Sequence, residues 1–144
     1  MGQSGLISDN GISRVWRENG WVYKSQPKFL TDNEIWCLKA MEASGYVPYA
    51  KQIDRDTIRM QDLGQRQPVQ NARVFMQHMP LILGALANAG IRHGDLTKYA
   101  LIVRADSPYI IDFAESRLTC DPRPDKRREG DKHWLTKTMR SLCP

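Results

Sequence analysis

The sequence predicts a single α+β domain in which a small antiparallel sheet and one helix precede a short, mainly helical part. The chain has 144 residues, which is the length of one ordinary domain. Its first half contains short alternating apolar stretches separated by turn signals. Its second half carries longer helical patterns, and the change falls near residues 64–68.

Composition limits the classes of protein to which the chain can belong. No apolar run approaches the roughly 20 residues of a membrane span, nor the apolar core of a signal peptide. We therefore expect a soluble, cytoplasmic protein without membrane contact. The three cysteines have no CxxC spacing, which argues against a disulfide framework and against a zinc site.

The chain opens with the pattern of an antiparallel meander. Two Asn-Gly dipeptides, at 10–11 and 19–20, separate alternating apolar stretches, and Asn-Gly is a strong hairpin signal. The third predicted strand, residues 20–24, places Val22 and Lys24 on the same face. A lysine that shares a face with an apolar residue is unusual for a solvated side chain.

A helix is predicted over residues 32–43. Thr31, followed three residues later by Glu34, has the spacing of a capping box, and Ser-Gly at 44–45 is a stop signal. Glu34 has two interpretations at this point. Its carboxylate either turns back to the backbone N–H at the helix start or reaches Lys24 on the preceding strand.

Two further strands and two helices complete the predicted elements. The polar stretch at 64–68, between the strands and the helices, resembles a hinge. The last helix is apolar nearly all round, which is typical of a buried helix, and Asn-Ala-Gly at 88–90 ends it. In chain order the predictions are strands at 46–49 and 57–63, joined by a charged turn at 54–56, and helices at 69–78 and 79–89.

Two acids follow in one compact unit. The run HGDLT at 93–97 leads through two short apolar segments, separated by a Ser-Pro turn, to IDF at 111–113. The order and separation of these acids follow the pattern H-R-D-L-x-x-x-N and D-F-G of kinases. Asp95 is suited to accept the proton of an attacking hydroxyl, and Asp112 is suited to hold magnesium against phosphates.

Residues 91–115 resemble the catalytic and metal-binding segments of the protein-kinase-like superfamily. HGDLT is similar to the corresponding run of the small atypical kinases of the RIO type and of the kinase subunit of the KEOPS complex. The resemblance implies a reduced two-lobed kinase-like fold, with an N-lobe at about 7–63, a hinge at 64–68 and a truncated C-lobe at 69–144. It also implies ATP and magnesium as cofactors, and the activity of an atypical serine/threonine protein kinase.

The resemblance gives each part of such a site a candidate residue. Lys24 matches the phosphate-binding lysine and Glu34 its helix partner, which favours the ion-pair interpretation of Glu34. Lys24 and Asp95 are the catalytic candidates. The other implied roles are nucleotide contacts at Gly11, Ser13, Met60, Asp62 and Leu63, a metal ligand at Asp112, and structural roles at His93 and Asp131.

Two departures from the kinase pattern affect the expected activity. Ala114 replaces the glycine of D-F-G, which should stiffen the metal loop. Ala100 replaces the asparagine, so one magnesium site loses an oxygen ligand. Three explanations of Ala100 stay open: a natural pseudokinase that binds nucleotide, an active enzyme with one metal on Asp112, and a deliberately inactivated variant of an active kinase.

The acceptor and the partners stay open as well. The sequence ends soon after Asp131, before the further helices of a full protein kinase, so we expect a partner protein that presents substrate, self-phosphorylation, or a small substrate. The alternatives to a protein kinase are a small-molecule kinase and a nucleotide-binding or ATPase subunit of a larger assembly. The net charge of +5 lies mainly at 117–140, a basic segment that could contact nucleic acid, although such a run is more often a solvated face.

Overall fold

The computed structural model describes residues 5–144 of the chain. Its first part is an antiparallel sheet of five strands, as the hairpin signals predicted. The strands lie in the order β1-β2-β3-β5-β4 across this sheet. Their bounds are β1 (Gly5–Asp9), β2 (Arg14–Glu18), β3 (Trp21–Ser25), β4 (Ala50–Asp54) and β5 (Thr57–Gln61).

Helix α1 (Lys28–Met41) connects β3 to β4 and packs on the sheet. The predicted capping box is wrong, because the helix begins directly after Pro27, whose φ of −51° already suits a helix start. Thr31 therefore lies inside the helix, and its hydroxyl donates to the carbonyl oxygen of Gln26 at 3.1 Å. Glu34 is left free to make other contacts.

The predicted strand at 46–49 is also wrong, since β4 starts at Ala50 and forms a hairpin with β5 in which Ala50 pairs with Met60. Pro48 has no N–H to give to a strand ladder. The carbonyl oxygen of Tyr46 instead accepts from the backbone N–H of Ile110 at 2.7 Å. The stretch before β4 thus links the sheet to the second part of the chain.

The second part contains three helices and two small antiparallel pairs of strands. The prediction of a helix over 69–78 is too long, because the side chain of Asn71 caps the helix by accepting from the N–H of Val74. Strands β6 and β9 pair with each other, as do β7 and β8. In chain order the elements are α2 (Ala72–Met76), α3 (His78–Ala89), β6 (Ile91–Arg92), β7 (Leu101–Arg104), β8 (Ser107–Ile110), β9 (Arg117–Leu118) and α4 (Asp131–Leu142).

Helix α3 is buried on one face only, which corrects the expectation of a fully buried helix. Ile82 and Leu86, one turn apart, are its buried side chains, whereas Leu81 is 59% exposed. Residues four apart lie on the same face of a helix, and α3 turns that face to its neighbours α1, α2 and α4. The helix ends at Gly90, whose left-handed backbone (φ 71°) is the stop that the sequence predicted.

One continuous apolar core joins the two parts. Side chains from α1 and β5 meet side chains from α2, α3, β7, β8 and α4 in this core. The connecting stretch at 64–68 is attached to β7, since Arg66 donates to the carbonyl oxygen of Leu101 and Gln67 N–H donates to that of Val103 at 2.9 Å. The division into lobes at these residues stays a prediction. Within residues 5–144, no helix combines the length and apolar character needed to cross a membrane.

Candidate active site

Lys24 is the centre of a buried charge network. It stands near the end of β3 on the face that α1 covers, and it is only 7% exposed. Its Nζ lies 2.9 Å from Glu34 Oε1 and 2.9 Å from Asp112 Oδ1. Burial alone would lower the pKa of Lys24, but the two carboxylates raise it well above its usual range, so the side chain stays charged.

Glu34 connects three segments of the chain. It is 1% exposed, and its Oε1 accepts from Gln26 Nε2 at 2.8 Å in addition to its contact with Lys24. Its Oε2 accepts from the backbone N–H of Phe113 at 2.9 Å. The carboxylate therefore ties α1 both to the end of β3 and to the residue after Asp112. This is the ion-pair interpretation of Glu34 and not the helix cap.

Asp112 presents an open carboxylate beside this network. Its backbone is left-handed (φ 73°), which is uncommon for a residue other than glycine, and its side chain is 53% exposed. Burial of the group would raise its pKa, but Lys24 above all, and then His93 and Lys126, lower it. Asp112 is thus an anion whose second oxygen is available to a ligand.

The donor set around Asp112 fits one magnesium ion held together with phosphates. Magnesium is commonly bound by one or two carboxylates plus substrate phosphate oxygens and water. In the part of the chain that the structure describes, no group of three or more His, Cys, Asp or Glu side chains could hold a metal by itself. Ala100 is buried between the loop and β7, and its methyl group offers no oxygen to a metal ion.

The loop at 93–97 is held by the start of α4. Asp131 Oδ2 accepts from the N–H of His93 at 2.7 Å, and Oδ1 accepts from the N–H of Gly94 at 2.9 Å. The left-handed backbone of Gly94 (φ 88°) suits a residue without a Cβ, and Asp125 lies 3.4 Å from where a Cβ would stand. The bracing contact expected of Asp131 is therefore present.

His93 makes structural contacts within the same loop. Its Nε2 donates to the carbonyl oxygen of Ile111 at 2.8 Å, and its Nδ1 accepts from the N–H of Asp95 at 3.2 Å. Its ring packs edge-on against Phe113 with the ring centres 4.9 Å apart. These bonds link the two acidic segments to each other and leave no ring nitrogen for proton transfer.

Asp95 is contacted by two cations that the sequence did not point out. Arg127 Nε lies 2.9 Å from its Oδ1, and Lys126 Nζ lies 3.5 Å from its Oδ2. Both cations come from the irregular segment 119–130, which also attaches to the loop through the bond from Arg127 N–H to the carbonyl oxygen of Gly94. Part of the basic segment therefore lies against the candidate base.

Other charges of the basic segment are paired within the chain. Arg123 binds Asp121 at 2.6 Å, and Arg92 lies 3.7 Å from Asp125. The contact with nucleic acid stays a prediction.

Asn33 is a second residue that the sequence did not reveal. It lies on α1 next to Glu34, and its Nδ2 is 3.3, 2.9 and 2.8 Å from the carbonyl oxygens of Phe113, Ala114 and Ser116. An amide between regular helical neighbours has no sequence signature, because its partners are backbone atoms about 80 residues away. Asn33 and Glu34 together fasten α1 to the segment after Asp112.

The turn between β1 and β2 lines a separate cavity of about 270 Å³. Gly11 and Ser13 lie on its wall together with Ser25 and Gln26, the two residues that follow Lys24. Side chains of the turn accept hydrogen bonds from its backbone N–H groups. Asp9 Oδ1 accepts from the N–H of Gly11 at 3.1 Å, and Asn10 Oδ1 accepts from the N–H of Ser13 at 2.8 Å. A phosphate would have to displace these bonds to use the same amides.

The three other residues predicted to contact the nucleotide lie at and after the end of β5. Met60 and Leu63 are buried, and Met60 belongs to the core. The carboxylate of Asp62 is engaged by Arg17 Nε at 2.6 Å and by Gly64 N–H at 2.8 Å. Because the carboxylate of Asp62 is engaged in this way, only its backbone is available to a nucleotide.

The chain is similar to known proteins both in sequence and in fold. A family model described as the RIO domain matches residues 17–131. The crystal structure of the Rio2 kinase–ADP/Mg²⁺–phosphoaspartate complex from Chaetomium thermophilum superposes with a TM-score of 0.68 at 17% identity, covering 98% of this chain and 54% of that chain. This likeness confirms the reduced two-lobed kinase-like fold.

A curated relative is similar over a shorter stretch. The probable bifunctional tRNA threonylcarbamoyladenosine biosynthesis protein of Methanocorpusculum labreanum is 43% identical over 61 residues, which is 42% of this chain and 11% of that protein. The chain thus spans about a tenth of the length of this relative and about half of the Rio2 chain.

Proposed function

The chain belongs to the RIO domain family, and from this premise we propose that it binds ATP with magnesium and transfers the terminal phosphoryl group. The observation that carries the proposal is the buried pair of Lys24 and Glu34, in which the lysine also contacts Asp112 at 2.9 Å. A buried lysine between two carboxylates presents a fixed positive charge at the edge of an open acidic site. The matched family region includes all three residues and Asp95.

Each residue has a definite task in this proposal. Lys24 binds phosphate oxygens of ATP, and Glu34 keeps the lysine in place. Asp112 holds magnesium, which supplies positive charge against the phosphates when it is bound. Asp95 accepts the proton of the attacking hydroxyl while the new oxygen–phosphorus bond forms, the bond from the γ-phosphorus to the bridging oxygen breaks, and ADP leaves.

The proposed acceptor is a serine or threonine hydroxyl of a protein. The side chain of Asp95 is 30% exposed, so a side chain from another molecule can reach this base. Water can take the place of the hydroxyl, in which case the same step releases inorganic phosphate.

A second candidate function is that of a nucleotide-binding or ATPase subunit of a larger assembly. It is favoured by Ala100, because the lost ligand leaves one metal position where kinases use two. It also agrees with the similarity to a segment of a bifunctional tRNA threonylcarbamoyladenosine biosynthesis protein. The two candidates differ in where the phosphoryl group goes.

Nucleotide binding and transfer can be tested with the same variants. ATP with magnesium should raise the melting temperature of the wild-type chain, because a ligand that binds the native state stabilises it. Lys24→Met should abolish the shift, whereas Lys51→Met, which removes an exposed lysine of β4, should keep it. Circular dichroism checks that both variants are folded. A wild-type chain that shows no shift contradicts the proposal.

The fate of labelled γ-phosphate separates the two candidate functions. A protein kinase labels itself or an added protein, and an ATPase yields free phosphate. Ala100→Asn restores the missing amide oxygen. It should increase the rate of protein labelling or of phosphate release if the second metal position limits turnover. Asp95→Asn should remove protein labelling while leaving the thermal shift with ATP intact, since Asp95 is assigned to the proton and not to the nucleotide.

A further inference from the structure

Lys126 is a cation beside the candidate base. Its Nζ is 3.5 Å from Asp95 Oδ2, and the side chain is 61% exposed. Asp95 is assigned to the hydroxyl that attacks the γ-phosphorus, so a cation on this carboxylate lies close to the place of the transferred group.

The other cations near this place have fixed partners. Lys24 is held by Glu34 and Asp112. Arg127 binds Asp95 through Nε at 2.9 Å, and its guanidinium stacks over the ring of Trp134 at 4.9 Å. Lys98 turns away, since its Nζ lies over the ring of Tyr99. Lys126 has the longest contact with an acid among these cations and an exposed, flexible stem, so it can move at little cost.

Ala100 leaves the site without an oxygen that would help to hold a second magnesium ion, and so without the charge of that ion. Phosphoryl transfer spreads negative charge over the oxygens of the moving group, and catalysis depends on cations placed around them. An asparagine oxygen at position 100 would help to hold a second magnesium ion, and the alanine methyl group cannot. A side-chain cation beside Asp95 could supply part of the missing charge.

We propose that Lys126 contacts the transferred phosphoryl group and takes over the electrostatic role of the second magnesium ion. The inference rests on the proposed function. When the ammonium group moves to a γ-phosphate oxygen, it leaves Asp95 Oδ2, which is then free to accept the proton of the attacking hydroxyl. Arg127 remains on Oδ1 and keeps the carboxylate oriented.

The first test compares nucleotides with and without a γ-phosphate. Lys126→Gln should weaken the binding of a non-hydrolysable ATP analogue with magnesium by about tenfold, the effect of losing one charge-assisted hydrogen bond. Binding of ADP with magnesium should change by less than about twofold. Lys132→Gln, which removes the same charge from an exposed position of α4, should change neither affinity. Isothermal titration calorimetry gives both affinities.

The outcomes separate failure of the inference from failure of the proposed function. A wild-type chain that binds neither nucleotide contradicts both. A wild-type chain that binds both nucleotides, with a Lys126→Gln variant that keeps the wild-type ratio of the two affinities, overturns the role of Lys126 alone. A merely structural role would weaken ADP and the ATP analogue equally, and that result also overturns the inference.

The second test asks whether a metal ion can replace the lysine. With the ATP analogue present, Ala100→Asn should bind one more Mn²⁺ ion per chain than the wild type, as counted by electron paramagnetic resonance. In the double variant Ala100→Asn/Lys126→Gln, the additional ion should restore most of the lost affinity for the ATP analogue. A double variant that binds the additional ion but stays as weak as Lys126→Gln shows that the lysine has a different role.

Discussion

The surroundings of Asp112 and Asp95 show two ways of holding an acid in one site. Asp112 is tied to Lys24, which is buried together with Glu34 under α1. Asp95 is tied to Lys126 and Arg127, whose side chains are 61% and 40% exposed. Charges interact strongly where water is excluded and weakly where it is present. The Asp112 side is therefore part of the fold, whereas the Asp95 side can respond to ligands and salt.

The origin of the partners explains this difference. Lys24 and Glu34 belong to β3 and α1, elements that the core fixes in place. Lys126 and Arg127 belong to an irregular segment that reaches the site through a few hydrogen bonds. The difference in strength between the contacts of Asp112 and those of Asp95 can be tested by removing one partner residue at a time.

The largest effect is expected from Glu34→Gln. Removing this buried charge leaves Lys24 under-compensated and should lower the free energy of unfolding by about 3 kcal/mol. Glu42→Gln, directly after the end of α1, removes a carboxylate that is exposed and 3.7 Å from Lys39, and should cost at most about 0.5 kcal/mol. Urea denaturation measures both. Equal losses would mean that the Lys24 network is no stronger than a surface pair.

Asn33→Ala should have the next largest effect. The variant removes the donor from the carbonyl oxygens of Ala114 and Ser116, whereas that of Phe113 keeps the N–H of Ser116, and the loss should cost about 1–3 kcal/mol. Asn88→Ala, at an exposed position of α3, is the matched control and should change stability by less than about 0.5 kcal/mol. If Asn33→Ala is as neutral as the control, the attachment of α1 to the metal loop is weaker than its geometry indicates.

Arg127→Gln should have a smaller effect that depends on salt. The pair with Asp95 is partly exposed, so its loss should cost at most about 1 kcal/mol in dilute buffer. The cost should shrink in about 1 M NaCl, where the Debye length is only about 3 Å. Arg128→Gln, at the exposed neighbouring position, controls for net charge. A salt-independent loss would show that Asp95 is held as firmly as Asp112.

The smallest effect is the change with pH in the contribution of Asp112 to the free energy of unfolding. Burial opposes the ionised form, but Lys24 lowers the pKa of Asp112 below its usual value, so the folded state binds this proton less readily than the unfolded state. The resulting stabilisation is present above about pH 4, the ordinary range of an aspartate, and is lost as the pH falls through the folded-state pKa. The difference in unfolding free energy between wild type and Asp112→Asn should therefore be constant near neutrality and shrink in acid. A difference that grows in acid would contradict this sign.

The sequence predicted those parts of the site that have a local signature in the chain. Lys24 was marked by its place on the apolar face of a strand, and Asp95 and Asp112 by their order and spacing. The structural role of Asp131 was implied by the resemblance to kinase-like proteins, and its bonds to the loop at 93–97 are present. These residues could be predicted because their order along the chain matches that of a known pattern.

The parts that could not be predicted depend on tertiary contacts. Lys126 and Arg127 stand in a charged segment without periodicity, and nothing local indicates that it folds back on Asp95. The capping-box prediction failed because Pro27 starts the helix one turn before Thr31. The expectation of a fully buried α3 was wrong, because the apolar sequence of a helix does not show how many of its faces pack against other elements.

The attachment of residues 66–67 to β7 bears on how fast the two parts of the molecule can separate. Arg66 and the N–H of Gln67 bond the carbonyl oxygens of Leu101 and Val103, so this stretch cannot bend freely at every residue as an unattached linker would. Any separation of the sheet from the helices must break these bonds together with the contacts of Asn33 and Glu34 to the segment after Asp112. Deuterium exchange at the Gln67 amide measures how often the attachment to β7 opens.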